Sequence, residues 1–345
     1  MQIKYSIVLL HMQKELPTIA KNIMEIKSKK VILVTGCAGF IGSNFTKQFK
    51  REFPQITIVG IDDFSTGRES ALSKDVIFYR GSILDSNLLN KIFKRHRPDY
   101  VFHFAALPRV SYSVEHPFET SEVNIIGTVL LLQKSAEYAI KRFIYSSSSS
   151  VYGGAKILPT KESENFPDPK SPYAVQKYAG EPFCKVFSGL YGLDTVCLRY
   201  FNVYGPGQYG DSPYSTVISA WLESLYFPKH KEAFIEGDGK QTRDFCYIDN
   251  VVYANILAMN AKKRLEGEVF NVAHGTRIDM NGVKKLIEKY SGKKLKLETM
   301  PSRKGDVRDT HADLSKAKKY LGYRPKISFE KGLEETVSWF EDRKN

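Results

Sequence analysis

Val31-Ile32-Leu33-Val34-Thr35-Gly36-Cys37-Ala38-Gly39-Phe40-Ile41-Gly42 decides how this chain folds. Four apolar residues and a threonine run straight into three glycines spaced G-x-x-G-x-x-G, and helical periodicity follows over 39–53. A short run with no polar alternation is a strand buried on both faces, the kind found in parallel sheets. Glycine is needed where such a strand turns tightly into a helix and where backbone must approach a phosphate closely. The free N–H groups and positive dipole end of the helix then suit a pyrophosphate. The spacing departs from G-x-G-x-x-G, so its context carries the reading.

Outward from this junction, the next strand, 56–61, ends at Asp62-Asp63, and Asp62 stands 20 residues beyond Gly42. A carboxylate there accepts hydrogen bonds from adenosine ribose hydroxyls and repels a 2′-phosphate, which favours NAD over NADP. Two acids capping the next turn are the plain alternative. Further β-rich runs at 76–80, 99–104, 142–147, 195–200 and 269–272 alternate with helical stretches at 87–96, 118–139 and 171–191. The alternation predicts an α/β fold, a doubly wound parallel sheet (Rossmann) with a smaller α/β substrate-binding lobe. Segment 205–213, rich in Gly, Pro and Ser, marks a long loop, and helices are expected near 214–227, 248–263, 281–291 and 329–340. The expected dinucleotide-binding domain is 30–201 plus roughly 243–275, and the substrate-binding domain is 202–242 and 276–345. Residues 1–29 read as an amphipathic N-terminal extension, a helix packed on the domain edge.

Composition narrows the partners. The 345 residues are 42% hydrophobic and 26% charged, ordinary for a globular chain with a sizeable core. The net charge of +13 comes from scattered lysines rather than a block, and no nucleic-acid-binding motif accompanies it. No nucleic acid partner is therefore expected. Cys37, Cys184, Cys197 and Cys246 lie far apart with no C-x-x-C pair, which gives neither a disulfide framework nor a metal site and fits a cytoplasmic setting. The apolar run at 5–10 is too short for a signal sequence or a membrane span.

Ser171-Pro172-Tyr173-Ala174-Val175-Gln176-Lys177 carries candidate chemistry. Ser171 is a good N-cap and Pro172 suits the first helical position, so Tyr173 and Lys177 fall four apart on one helix face. A neighbouring ammonium, a helix N-terminus and a positive nicotinamide ring would all favour the phenolate of Tyr173, whose ordinary pKa is near 10. The serine run 146–150 leaves the carboxyl end of a strand, where ligands bind in doubly wound sheets, and a hydroxyl there could pass a substrate proton to Tyr173.

These motifs, with IDDFSTGR, HFAA, SSSSSVYGG, LRYFNVYGP, GDGKQTRDFCYIDNV and KGDVRDTHAD, resemble the NDP-sugar epimerase/dehydratase family of extended short-chain dehydrogenases. The likeness is greatest to UDP-hexose and UDP-N-acetylglucosamine 4-epimerases. It implies that Ser148, Tyr173 and Lys177 are catalytic. It also implies NAD contacts from Gly36, Gly39, Phe40, Ile41, Gly42, Asp62, Asp63, Ser82, Ile83, Phe104, Ala105, Ala106, Leu107, Asn124, Tyr200 and Phe201, besides Tyr173 and Lys177. On the sugar-nucleotide side it implies Ser148, Ser149, Tyr173, Asn202, Phe234, Ile235, Glu236, Arg243, Arg303, Asp306 and Thr310. Asn202, Arg243 and Arg303 match residues that hold the pyrophosphate, a task suited to the bidentate guanidinium. Ser82 departs from the pattern, since an acid usually stands there facing adenine.

The resemblance also orders the chemistries. Dehydratases and decarboxylases of the family carry acids where this chain has Ser149 and Ser150, so 4-epimerisation through a 4-keto sugar is expected. A non-catalytic NAD-binding relative would normally lack the triad. Thr310 matches the position that limits room beside the sugar C2 substituent, and a small residue there admits an N-acetyl group. UDP-N-acetylglucosamine/UDP-N-acetylgalactosamine, UDP-glucose/UDP-galactose or both are the expected pairs, with a UDP-uronic acid as the alternative because Arg109 follows the fourth strand. Helices 118–139 and 171–191 resemble the family's paired-helix homodimer interface.

Overall fold

A computed structural model of the chain describes residues 30–212, 215–229, 232–301 and 307–344. Expectations placed on 1–29, Arg303 and Asp306 lie outside the described residues. Seven parallel strands form one sheet: β1 (Val31–Thr35), β2 (Thr57–Asp62), β3 (Val76–Arg80), β4 (Tyr100–His103), β5 (Arg142–Ser148), β6 (Thr195–Tyr200) and β7 (Glu268–Val272). Their order is β7-β6-β5-β4-β1-β2-β3. The order reverses between β1 and β4, and the crevice at the carboxyl ends of those two strands is where such sheets bind ligands. The late strand β7 joins β6 with Val269 opposite Cys197 and Val272 opposite Tyr200, as the sequence pattern predicts.

Alternate residues of the strands feed two cores, one on each sheet face. Ile32, Val34, Ile58, Phe102 and Ile144 join the core under α1 (Phe40–Glu52) and Ile248–Asn260. Leu33, Val59, Ile61, Val101 and Phe143 join the opposite core under Ser86–His96 and α2 (Pro172–Leu190). Phe45, Phe49 and Phe102 are fully buried, and each contributes about 1.5–3 kcal/mol by leaving water. The ends of α2 follow its sequence: the Ser171 hydroxyl accepts from the Ala174 N–H at 3.2 Å, and Pro172 is the first helical residue.

Helix 118–139 is the main departure from the sequence pattern. It is a short helix Pro117–Ser121, a π-helical turn Glu122–Gly127 and a helix Thr128–Glu137. The wide turn brings Asn124 inward, where its amide accepts from the Leu107 N–H at 2.8 Å and donates to the Leu107 carbonyl at 3.1 Å. Hydrophobic periodicity cannot show such a bulge, because it depends on a partner distant in sequence. Beyond the sheet, two-residue to three-residue strands pair Val203–Tyr204 with Cys246–Tyr247, Thr242–Arg243 with Ile278–Asp279, and Phe234–Glu236 with Glu298–Met300. Among the described residues, no helix is long and apolar enough to cross a membrane.

Candidate active site

One cavity of about 890 Å³ runs from the β1–α1 junction to the start of α2. That is near the upper end of small-molecule sites, about 300–1,000 Å³. Gly36 sits at φ +68°, and a Cβ there would lie 2.6 Å from the Ala105 backbone nitrogen. Glycine therefore lets the ends of β1 and β4 close on each other. Helix α1 begins at Gly39 with no side-chain cap and no acid in its first turn. Gly36, Gly39, Phe40, Ile41 and Gly42 all line the cavity, so the helix start faces it.

Asp62 and Asp63 border the same space. Asp62 is 8% exposed, accepts from Ala38 N–H at 2.9 Å and Phe64 N–H at 2.8 Å, and burial raises its pKa against those bonds. Asp63 accepts from Ser65 N–H at 2.9 Å. Both acids thus cap local turns and face the cavity at once. Ile83 and Phe104 to Leu107 complete this wall.

Ser82, Asn124 and Lys177 are not among the lining residues. The cavity is lined by Gly81 and Ile83, while Ser82 turns its hydroxyl to the Leu84 N–H at 3.2 Å. Asn124 is buried behind the wall, where it braces Leu107 and donates to Gln176 at 2.8 Å. Its amide is consumed by backbone and side chain, so it shapes the wall rather than lining it.

Ser148 and Tyr173 face the cavity together, and the Ser148 hydroxyl is near enough to favour the ionised phenol. Gly180 lets α2 approach β5, since a Cβ there would fall 2.3 Å from the Tyr145 ring. This places Lys177 under the strand end. Its ammonium is buried, donates to the Ser146 carbonyl at 2.8 Å and lies 6.0 Å from the centre of the Tyr173 ring. Burial lowers Lys177 to about 8 and raises Tyr173 to about 12, while the Ser148 hydrogen bond and the charge of Arg109 pull Tyr173 back down. Desolvation is the largest influence, and the ammonium is engaged by the strand carbonyl.

The far wall is assembled from distant segments. Tyr200, Phe201, Asn202, Arg243 and Thr310 line it, as do Ser149 and Ser150. The Asn202 amide donates to the Asp244 carbonyl at 2.9 Å and the Thr310 hydroxyl at 3.2 Å, and the Asp244 N–H donates to the same hydroxyl at 3.0 Å. Asn202 holds φ +30°, a left-handed backbone uncommon outside glycine. The buried Asp244 carboxylate accepts from the N–H groups of His274, Gly275 and Ala312, and burial raises it to about 7. Phe234, Ile235 and Glu236 form a short strand outside this lining. The Ser150 hydroxyl is buried without a protein partner and borders the cavity.

Several residues that sequence reasoning missed support this arrangement. Arg199 and Glu181 form a buried bidentate pair at 2.8 and 2.6 Å, and Glu181 also accepts from the Ser147 hydroxyl at 2.6 Å. An arginine inside the otherwise apolar strand 195–200 was the available signal, because a buried charge demands a partner. Arg68, Tyr209 and Asp211 also line the cavity. Arg68 closes the IDDFSTGR motif, whereas Tyr209 and Asp211 are polar loop residues with no sequence pattern to mark them.

A glycine-turned β1–α1 junction sharing one cavity with a Ser–Tyr pair and a buried Lys defines a dinucleotide-dependent enzyme site. Residues 32–273 match the NAD dependent epimerase/dehydratase family. The UDP-glucose 4-epimerase of Thermotoga maritima, solved with UDP-glucose, is 39% identical with a TM-score of 0.85, over 91% of this chain and 100% of that one. The UDP-N-acetylglucosamine 4-epimerase of Methanobrevibacter ruminantium M1, in complex with UDP-N-acetylmuramic acid, is 35% identical with a TM-score of 0.83, over 92% and 99%. The UDP-glucuronic acid 4-epimerase of Bacillus cereus, with UDP-glucuronic acid and NAD, is 34% identical with a TM-score of 0.81, over 91% and 99%. This chain belongs to the NAD dependent epimerase/dehydratase family. The open helix start, the glycine backbone and the acid at the end of β2 fit NAD.

Proposed function

We propose that this protein interconverts UDP-hexoses at C4, with UDP-N-acetylglucosamine/UDP-N-acetylgalactosamine, UDP-glucose/UDP-galactose or both as substrates. The observation that carries the reading is that Ser148 and Tyr173 line the same cavity as the glycine turn. Bound NAD supplies the acceptor, and later the donor, of the C4 hydride. Tyr173 takes the proton of the C4 hydroxyl and returns it to the 4-keto sugar after the ring has turned over. Ser148 bonds the same sugar oxygen and orients the phenol. Lys177 fixes the end of β5 through the Ser146 carbonyl and adds positive charge below the phenol. Arg243 and Arg303 grip the pyrophosphate while the sugar rotates, Asn202 backs them, and Asp306 with Phe234 to Glu236 serves uracil and ribose. Ser149 and Ser150 offer no carboxylate to drive loss of water from the keto sugar.

A second reading, a UDP-uronic acid 4-epimerase, rests on Arg109, which stands on the cavity wall within electrostatic reach of Tyr173 and Asp211. We also propose a homodimer joined through α2, because Val175, Phe183, Val186 and Leu190 are exposed along it and Phe118 is exposed nearby in sequence to its partner helix. A monomer in sedimentation at micromolar concentration would exclude this. The four cysteines are free and buried, which suits the reducing cytoplasm we propose as its location. The test of function is a panel of UDP-hexoses, UDP-N-acetylhexosamines and UDP-uronates offered to the purified protein. At least one non-uronate pair is expected to interconvert, and Tyr173→Phe should lower that rate about 1,000-fold. Turnover of uronates alone would select the second reading, and an unchanged rate in Tyr173→Phe would remove the proposed roles.

A further inference from the structure

The loop 205–212 leaves the end of β6 and passes over the β1–α1 junction. On α1, the Asn44 amide donates to the Pro206 carbonyl at 3.0 Å. At the other end of the loop, Asp211 forms an ion pair with Arg68, which follows β2, and the Arg68 guanidinium lies 3.7 Å from the centre of the Tyr209 ring. The same ring meets Arg343 at 4.8 Å and the edge of Trp339 at 5.4 Å. The Gly210 N–H donates to Glu223 at 3.3 Å, and Glu223 is a buried bidentate partner of Arg343 at 2.7 and 2.9 Å. Tyr209 and Asp211 are thereby anchored to the C-terminal helix Phe329–Lys344. Arg68, in turn, is anchored to the glycine turn, because its backbone N–H donates to the Ala38 carbonyl at 3.1 Å. All three clasp residues line the cavity that holds Gly39 and Asp62.

We propose that Arg68, Tyr209 and Asp211 form a clasp across the cofactor end of the cavity, and that its opening sets the rate at which NAD leaves. Arg68 and Asp211 keep 43% and 35% of their side-chain surface, so they stand at the rim rather than in the core. An exposed ion pair and a guanidinium–ring stack are each weak, so together they slow release by about tenfold rather than by orders of magnitude. Retention of NAD through turnover then rests partly on two residues that are 143 positions apart in sequence.

The test is the exchange of protein-bound NAD for radiolabelled NAD in the purified holoenzyme, a readout that needs no sugar turnover and so stands apart from the proposed epimerase activity. Arg68→Ala and Asp211→Asn should each speed exchange by up to about tenfold, and Tyr209→Leu by less. Tyr209→Phe, which keeps the ring, should exchange like the parent. The double swap Arg68→Asp with Asp211→Arg should recover slow exchange. Single variants within about twofold of the parent, well inside one exposed interaction, would overturn the clasp. A swap that exchanges as fast as Arg68→Ala would also overturn it, because Arg68 would then act by touching the cofactor itself.

Discussion

The two walls of the cavity are built in different ways. The glycine-turn wall is centred on contiguous chain: β1, Gly36 to Gly42 and α1 follow one another, and the ends of β2 and β4 with Ile83 complete it. The opposite wall is stitched from afar, with Asn202 bonded to Asp244, 42 residues on, and to Thr310, 108 residues on. A wall made of one local motif tolerates little change, because each residue is fixed by backbone geometry. A wall made of separate segments has side chains that can vary while their backbone ties persist. The first suits a cofactor common to a family, and the second suits the place where substrates are told apart.

Substitutions should expose this contrast. Gly36→Ala forces a side chain onto a left-handed residue and against the Ala105 backbone, so it should cost about 3 kcal/mol in urea unfolding and lower the NAD content of the purified protein. On the opposite wall, Thr310→Tyr should lower kcat/KM for acetylated UDP-sugars about thirtyfold while leaving plain hexoses much less affected. Thr310→Val is the control, because it loses the bonds to Asn202 and Asp244 without filling space, and it should affect both sugars alike. Equal losses in Thr310→Tyr would refute a steric role.

The smallest effect concerns the junction between the walls. The Ser148 hydrogen bond lowers a phenol that burial raises to about 12, so Ser148→Ala should raise Tyr173 further. Less of the proton-accepting form then exists at a given pH. The acidic limb of the kcat profile should move to higher pH, with a loss of about tenfold near neutrality that shrinks as pH rises. An unshifted limb would show that Ser148 acts only by contacting the sugar.

The contrast also explains what could be read in the sequence. Periodicity and glycine spacing were enough for the doubly wound parallel sheet and its β1–α1 junction, because those signals are local. The capped start of α2 and the four-residue step from Tyr173 to Lys177 were legible for the same reason. The directions of Asn124 and Ser82 were not legible, because a family position says nothing about which way a π-turn or a tight loop directs the side chain. The bond from Lys177 to the Ser146 carbonyl was not legible, since the two become neighbours only once α2 packs on β5. Asp244 and the Arg199–Glu181 pair bind the site together through bonds between segments distant in sequence, for which a linear reading has no template.

The account turns on hydrogen leaving C4 and returning to the same carbon within one closed site. UDP-sugar carrying deuterium at C4 should be converted in ordinary water, and both epimers examined by mass spectrometry. Full retention of deuterium at C4 in each epimer is the predicted result, and its loss to solvent would contradict the mechanism.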